Sequence, residues 1–271
     1  IFYLLGFQDI IKTGSFVIDT ITGGYAPSAS QFQQYLSIPM RIGIIVLMFV
    51  GSVNFSFNYK LFTLKLKKTL SKEVLLYFLV IIIGTVLIFF LAGKDILDSL
   101  FHVVSMSSST GFDYIYIPTL NDTAISIFIL LMILGGCGFS MAGGIKMFRI
   151  ISFFGSIKKS VKGVLTKEKV IKEENKKTEA NHVEPFAILV SIVLFVTTLV
   201  IFSAIFSSIG VSFTNALFEV GSALTTNGIS MGATTVLMPI GYKWLLIIAM
   251  IIGRIEIMPI LIALSPYKRK E

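Results

Sequence analysis

The sequence predicts an all-α integral membrane protein made of tandem units of span, short helix, loop and span. Three observations predict it. The 271 residues are 55% hydrophobic, with 24 Phe and a mean hydropathy of +0.87; soluble domains hold roughly 45–50% apolar residues. Charged residues are only 14% and are clustered, which leaves uncharged apolar runs at Tyr77–Leu91 and Phe186–Ile209. A bilayer core needs about 20 such residues as a helix. Last, one pattern occurs three times: Thr22-Gly23-Gly24-Tyr25, Ser109-Thr110-Gly111-Phe112 and Thr226-Asn227-Gly228-Ile229. Each is a hydroxyl, any residue, glycine and a bulky apolar residue, set between a short helical pattern and a long apolar run.

Taken in order, the first copy has a short helix near Asp9–Ile21, the loop at Thr22–Tyr25 and a return span at Ile38–Tyr59. Most of its outer span is lacking. The Ile1–Leu5 stub is too short for a signal peptide or a span, and the chain reads as a fragment missing its N-terminal part. In the middle copy a span at Val74–Ala92 leads to a short helix at Ile96–Ser107, the loop Ser108–Phe112 and a return segment at Ala124–Ile150. The third copy is the clearest. A span at Phe186–Ile209 precedes Phe213–Leu224, which is too short to cross and must be re-entrant. The loop Thr225–Ile229 and a return span at Tyr242–Leu264 complete it. The organisation is therefore 1–59, 74–150 and 185–271 as pore repeats, with a cytoplasmic loop at 60–73 and a cytoplasmic linker at 151–184.

Spacing supports the repeat. Ser105 and Ser222 each stand six residues before their glycine, and Phe101 and Phe218 ten before; the first copy shares neither position. Non-helical backbone at membrane depth is tolerated only where it is buried or lines a wet cavity, so three such loops imply one shared cavity. A backbone carbonyl replaces a water ligand of a cation when the loop is extended and turned inward, and glycine allows that turn without a Cβ penalty.

Charge placement sets the orientation. Of 23 Lys and Arg, five lie in Lys60–Lys72, ten in Lys146–Lys177 and three in Lys268–Lys270. Lys12, Arg41, Lys94 and Lys243 fall in the opposite loops, and Arg254 falls within a span. The positive-inside rule puts the three basic segments in the cytoplasm. The net charge of +8 thus reflects topology and contact with membrane lipids, not nucleic-acid binding. The single Cys137 excludes an intrachain disulfide framework and reads as a small buried apolar residue. Two isolated histidines, His102 and His182, provide no metal cluster and no nucleophile–base constellation, so an enzyme within the spans is not supported. Tandem, non-identical repeats argue against a tetramer of smaller two-span units.

Thr123–Ile150 is 28 residues. As one helix it would be about 42 Å long, against a hydrocarbon core of about 30 Å. Five glycines, Gly135, Gly136, Gly138, Gly143 and Gly144, predict two half-helices joined by a loop beneath the filter, with Lys146 at the inner mouth. The alternative is a small-residue face for close helix packing. Arg254 lies 12 residues past Tyr242, at mid-membrane, where a charge costs about 2.5 kcal/mol or more and faces a cavity or a partner. Glu219 and Glu256 are the candidate ion-pair partners, although residues two apart on a helix do not face each other. Asp95 and Asp98 stand where helix N-caps belong. Asp113 either attracts cations at the outer mouth or solvates a loop, and Asp19 is a candidate brace for the filter.

The chain resembles the TrkH/KtrB/HKT superfamily of K⁺ or Na⁺ translocating subunits. The residues that carry the resemblance are Ser109-Thr110-Gly111-Phe112, the run Gly135-Gly136-Cys137-Gly138-Phe139-Ser140-Met141-Ala142-Gly143-Gly144-Ile145-Lys146, and Ile252-Gly253-Arg254-Ile255-Glu256. The last is similar to the TrkH-type branch. The resemblance implies four units around a pseudo-fourfold pore, of which this chain matches the second to the fourth. It implies a filter at Thr22, Gly23, Gly24, Ser109, Thr110, Gly111, Thr226, Asn227 and Gly228, with the middle side chains turned away from the pore. Tyr25 and Phe112 would wedge the filter. In the family, serine in place of the first repeat's filter glycine goes with Na⁺ preference; glycine in all three copies here favours K⁺ as the transported ion.

The resemblance further implies an intramembrane gate at Gly135–Gly144 and Arg254, no bound cofactor, a homodimer, and a cytoplasmic nucleotide-binding regulator of the TrkA/KtrA type. The charged segment Ser156–Glu184 would dock that regulator or serve as a solvated linker beside anionic lipid. The chain has no strand–GxGxxG–helix unit of its own for a dinucleotide.

Overall fold

The structure is a computed structural model that describes residues 10–23, 37–64, 71–165 and 178–255. Its first helix, α1 (Ile10–Thr22), is followed by α2 (Ile38–Ser52) and α3 (Phe55–Phe62). The middle copy is α4 (Lys72–Ala92), α5 (Ile96–Ser108), α6 (Asp122–Ile133) and α7 (Met147–Leu165), and the third is α8 (Thr178–Ser207), α9 (Phe213–Leu224) and α10 (Ile240–Ile255). No β-strand occurs among the described residues; one isolated parallel bridge joins Leu134 and Ile145.

The helix boundaries have local causes. Ser71 caps α4 by accepting from the Val74 N–H at 3.4 Å, and α4 ends at Gly93 with φ 59°, the left-handed conformation that glycine adopts most easily. Ser212 caps α9 by accepting from the Asn215 N–H. Among the described residues, two helices have the length and apolar character to cross a bilayer, α4 and the Phe186–Ser207 part of α8. Their outer faces carry exposed Phe78, Ile82, Phe90, Val193, Val200 and Ile201, the surface a lipid-facing helix presents.

Two return segments depart from single helices. The expected span Ile38–Tyr59 breaks at Val53–Asn54, because the Asn54 side chain accepts from the Phe57 N–H at 2.7 Å and starts α3 afresh. The expected Ala124–Ile150 segment is α6, an irregular loop at 134–146, and α7. The short helices α5 and α9 are the inner elements. α5 packs on α2, α4 and α6, while α9 packs on α6, α8 and α10. One apolar core, including Phe101, Met106, Phe128 and Met132, surrounds α5; a second, including Phe206, Val220 and Leu246, surrounds α9.

Candidate functional site

The two described loops that follow α5 and α9 share one backbone conformation. Ser109 has φ 58° and Gly111 φ 73°; Thr226 has φ 54° and Gly228 φ 86°. A left-handed residue two before the glycine and another at the glycine turn each chain sharply in the same place. For Ser109 and Thr226 this conformation is uncommon, and its recurrence at equivalent positions is a property of the repeat. The loops also abut. A Cβ added to Gly111 would overlap the Asn227 carbonyl. Both short helices end at these loops, so the partial negative charge of each C-terminus lies beside them.

Side chains at the middle position tie one copy to the previous one. Thr110 Oγ1 donates to the Thr20 carbonyl at 3.2 Å, and Asn227 Nδ2 donates to the Met106 carbonyl at 2.8 Å. Both hydroxyl and amide are thus turned onto the end of a neighbouring short helix. Phe112, directly after Gly111, is buried and stacks on Phe16 of α1 with centroids 5.6 Å apart. Ser105 Oγ donates to the Phe112 carbonyl at 2.6 Å. In the first copy, Thr22 returns its hydroxyl to the Ile18 carbonyl of its own helix, and Gly23 has φ 142°. Gly24 and Tyr25 lie outside the described residues, as do Glu256 and Lys268–Lys270.

The 134–146 loop lies against these turns. Its neck is closed by Ile145 N–H donating to the Ile133 carbonyl at 2.8 Å and Met147 N–H to the Gly136 carbonyl at 3.1 Å. At its tip, the Gly143 N–H donates to Ser109 Oγ at 2.8 Å, and a Cβ on Gly143 would collide with the Thr225 carbonyl. Gly135 allows the two limbs of the loop to meet, since a Cβ there would overlap the Gly143 carbonyl. The break in the first copy supplies further anchors: the carbonyls of Gly51 and Ser52 accept from Met141 N–H (3.1 Å) and Cys137 N–H (2.9 Å). Glu73 accepts from Gly138 N–H at 3.3 Å.

Two cations complete the loop. Lys146 Nζ donates to the Ser140 carbonyl at 3.3 Å and to the Ala142 carbonyl. Arg254 Nη1 donates to the Met141 carbonyl at 3.2 Å. Beneath them is a cavity of about 370 Å³, lined by Met141, Gly144, Lys146, Arg149 and Arg254 among others. Glu219, the one of the two candidate partners for Arg254 that lies among the described residues, is directed elsewhere: its Oε1 accepts from Ser230 Oγ, Met231 N–H and Ala233 N–H. A buried carboxylate takes the nearest set of convergent donors, and for Glu219 that set is the segment after its own loop.

On the opposite side, Asp98 pairs with Arg41 at 2.7 Å and accepts from the Tyr114 hydroxyl at 2.6 Å. It is not a helix cap, and Asp95, which does occupy the cap position of α5, makes no side-chain cap bond. Burial, and then the bond to Asp98, push the Tyr114 phenol above its ordinary range, so Tyr114 stays a donor to that carboxylate. Asp113 is exposed.

The profile of the TrkH family, described as cation transport protein, matches residues 74–269. The chain belongs to the TrkH family. Among curated relatives of this TrkH-family chain, an uncharacterised cation transporter of Methanocaldococcus jannaschii is 30% identical over 243 residues, covering 89% of this chain and 50% of the relative. The potassium uptake protein TrkI of Halomonas elongata is 25% identical over 281 residues, covering 98% and 57%. The chain thus spans about half the length of the curated relatives it matches. The crystal structure of the potassium transporter TrkH from Vibrio parahaemolyticus has the same fold, with a TM-score of 0.76 at 20% identity over 94% of this chain and 57% of that one.

Proposed function

We propose that this chain forms three-quarters of a K⁺-translocating pore whose filter comprises the loops at 22–24, 109–111 and 226–228. The observation that carries the reading is the pair of matching left-handed turns, Ser109/Gly111 and Thr226/Gly228, pressed against each other at the C-termini of two short helices. Helix C-termini favour a cation, and backbone carbonyls exchange for its hydration shell without a charged ligand that would hold it too tightly. The 134–146 loop is the gate in this reading. It touches the filter turn through Ser109, is tied down by Arg254 and Lys146, and overlies an inner cavity toward which those cations raise the barrier for another positive charge.

Potassium is favoured by the glycine at each filter position and by the potassium uptake named for the Halomonas relative. The basic loops face the cytoplasm, where a nucleotide-binding regulator docks on the 151–184 segment and releases the loop, and the complete protein works as a homodimer. The experiment is uptake of rubidium and of sodium by the full-length protein in a host lacking its own potassium uptake. Rubidium uptake well above sodium uptake is expected. Equal uptake of the two makes this a sodium-permeable relative, and uptake of neither makes it a non-conducting remnant.

A further inference from the structure

The third copy has a buried carboxylate that ion transport as described above leaves without a role. Glu219 is 3% exposed and lies midway along α9, behind the filter turn. Its Oε1 collects three donors from the stretch just after that turn: Ser230 Oγ at 2.7 Å, Met231 N–H at 2.8 Å and Ala233 N–H at 3.2 Å. Among the described residues its donors are neutral, and hydrogen bonds to a charged acceptor are about twice as strong as those between neutral groups.

The middle copy solves the same problem with different chemistry at the same place. Glu219 is nine residues before Gly228, and His102 is nine before Gly111. Met231 is three past Gly228, and Tyr114 is three past Gly111. His102 Nδ1 faces the Asp98 carbonyl at 2.8 Å, which requires a proton on Nδ1 and leaves Nε2 as an acceptor. That Nε2 accepts from the Tyr114 N–H at 3.4 Å, and the two rings pack at 4.5 Å between centroids. His102 is 1% exposed. Two unlike side chains, at one register position of two short helices, therefore take the same backbone N–H on the far side of the turn. The first copy has Ser15 at that position.

We infer that Glu219 and His102 are positioning residues for ion discrimination, each clamping the outer end of its own filter turn to the short helix behind it. The inference rests on the reading of 109–111 and 226–228 as the filter. A clamp at this point acts through the backbone: with the outer end fixed, the turn cannot relax around an ion of different radius. Glu219 holds three groups and His102 one, so the third copy is held harder than the second.

The test measures the ratio of rubidium to sodium uptake in full-length protein, at membrane abundance matched by immunoblot. Glu219→Ala removes all three bonds and is expected to lower the ratio about tenfold, the factor that 1.4 kcal/mol represents. Glu219→Gln keeps the Oε1 acceptor and is expected to stay within about threefold of the unmodified protein, since a neutral acceptor retains much of the bond energy. His102→Leu is expected to lower the ratio about threefold, in keeping with its single long bond. A merely structural role would reduce uptake of both ions together and leave the ratio unmoved, and that result overturns the inference. Loss in Glu219→Gln equal to that in Glu219→Ala also overturns it, because charge and not hydrogen bonding would then be the active property. Where Glu219→Ala fails to reach the membrane, Ser230→Ala removes one donor alone; an unaltered ratio there overturns the inference as well. An unmodified protein that does not discriminate between the ions refutes the filter reading itself, whereas a selective parent with unaltered variants refutes only the clamp.

Discussion

The return segments of the second and third copies occupy equivalent places and are built in opposite ways. Between α6 and α7 the chain leaves the helix for the whole of 134–146, while α10 runs unbroken from Ile240 to Ile255. Both contain glycine where they meet a short helix. Gly143 sits against the Thr225 carbonyl and Gly253 against the Leu224 carbonyl, each too close for a Cβ. Close approach is thus common to both, and a helix break is not its necessary result. What differs is glycine density: five glycines at 135–144 against two, Gly241 and Gly253, in the whole of α10, each costing about 1 kcal/mol of helix stability relative to alanine. The straight segment then secures the broken one, since Arg254 on α10 donates to Met141 in the loop. A rigid helix serves as the post to which an irregular loop is tied.

The contrast is broken most completely at Gly143. Gly143→Ala forces backbone against backbone at Thr225, where neither side has a flexible end to yield, and overpacking of this kind costs about 1–3 kcal/mol or more. Rubidium uptake in Gly143→Ala is expected to fall at least about tenfold. Uptake at the parental level would show that the loop and the turn after α9 do not meet.

Arg254→Ala unties the loop from its post. Rubidium uptake is expected to rise about threefold or more, since an exposed contact of this kind contributes roughly 1 kcal/mol or less and its loss also removes the positive charge from the proposed gate. On the proposed reading the rise appears with or without the proposed regulator; unchanged flux in both conditions counts against the tie.

The first copy sharpens the comparison, because its own break at Val53–Asn54 exposes the Gly51 and Ser52 carbonyls that hold Met141 and Cys137. Asn54→Ala removes the cap on α3 and is expected to cost about 1 kcal/mol, read as a lower melting temperature of the purified protein with a modest change in uptake. The smallest effect is expected from Gly155→Ala. Beyond the neighbouring backbone of its own helix, no described atom lies within 4 Å of a Cβ there, and a helical alanine gains up to about 1 kcal/mol over glycine. Stability equal to or slightly above the parent, with unchanged uptake, separates glycines of the loop from glycines of an ordinary helix.

Features written in local spacing were legible before any coordinates. The bounds of α9 follow from a 12-residue apolar segment between Ser212 and Thr225, and the break after Ile133 follows from glycine density. The break at Val53–Asn54 was not, because the one glycine beside it, Gly51, is a single glycine in an apolar run, which a helix tolerates. It depends on an asparagine side chain that competes with the helix for a backbone N–H. Long-range partners were also out of reach. Asp98 reads as a cap from its position in α5, yet its partner Arg41 is 57 residues away. Glu219 reads as a counter-ion for Arg254, yet it turns to residues 230–233. In both cases the helix places the carboxylate; the packing of two copies decides what Asp98 meets, and the fold of the chain after its own loop decides it for Glu219. The spacing that would have revealed the role of Glu219 was present, nine residues before each glycine, but glutamate and histidine do not look alike as letters.

The closed neck of the 134–146 loop separates two tasks that a continuous helix would fuse. Because Ile133 and Ile145 are hydrogen-bonded to each other, α6 and α7 keep their alignment whatever the residues between them do. The interior of the loop is held by its own separate anchors, so a change there need not shift the register of either helix. On the proposed reading, a lineage can retune the gate while the scaffold that aligns the spans stays as it was.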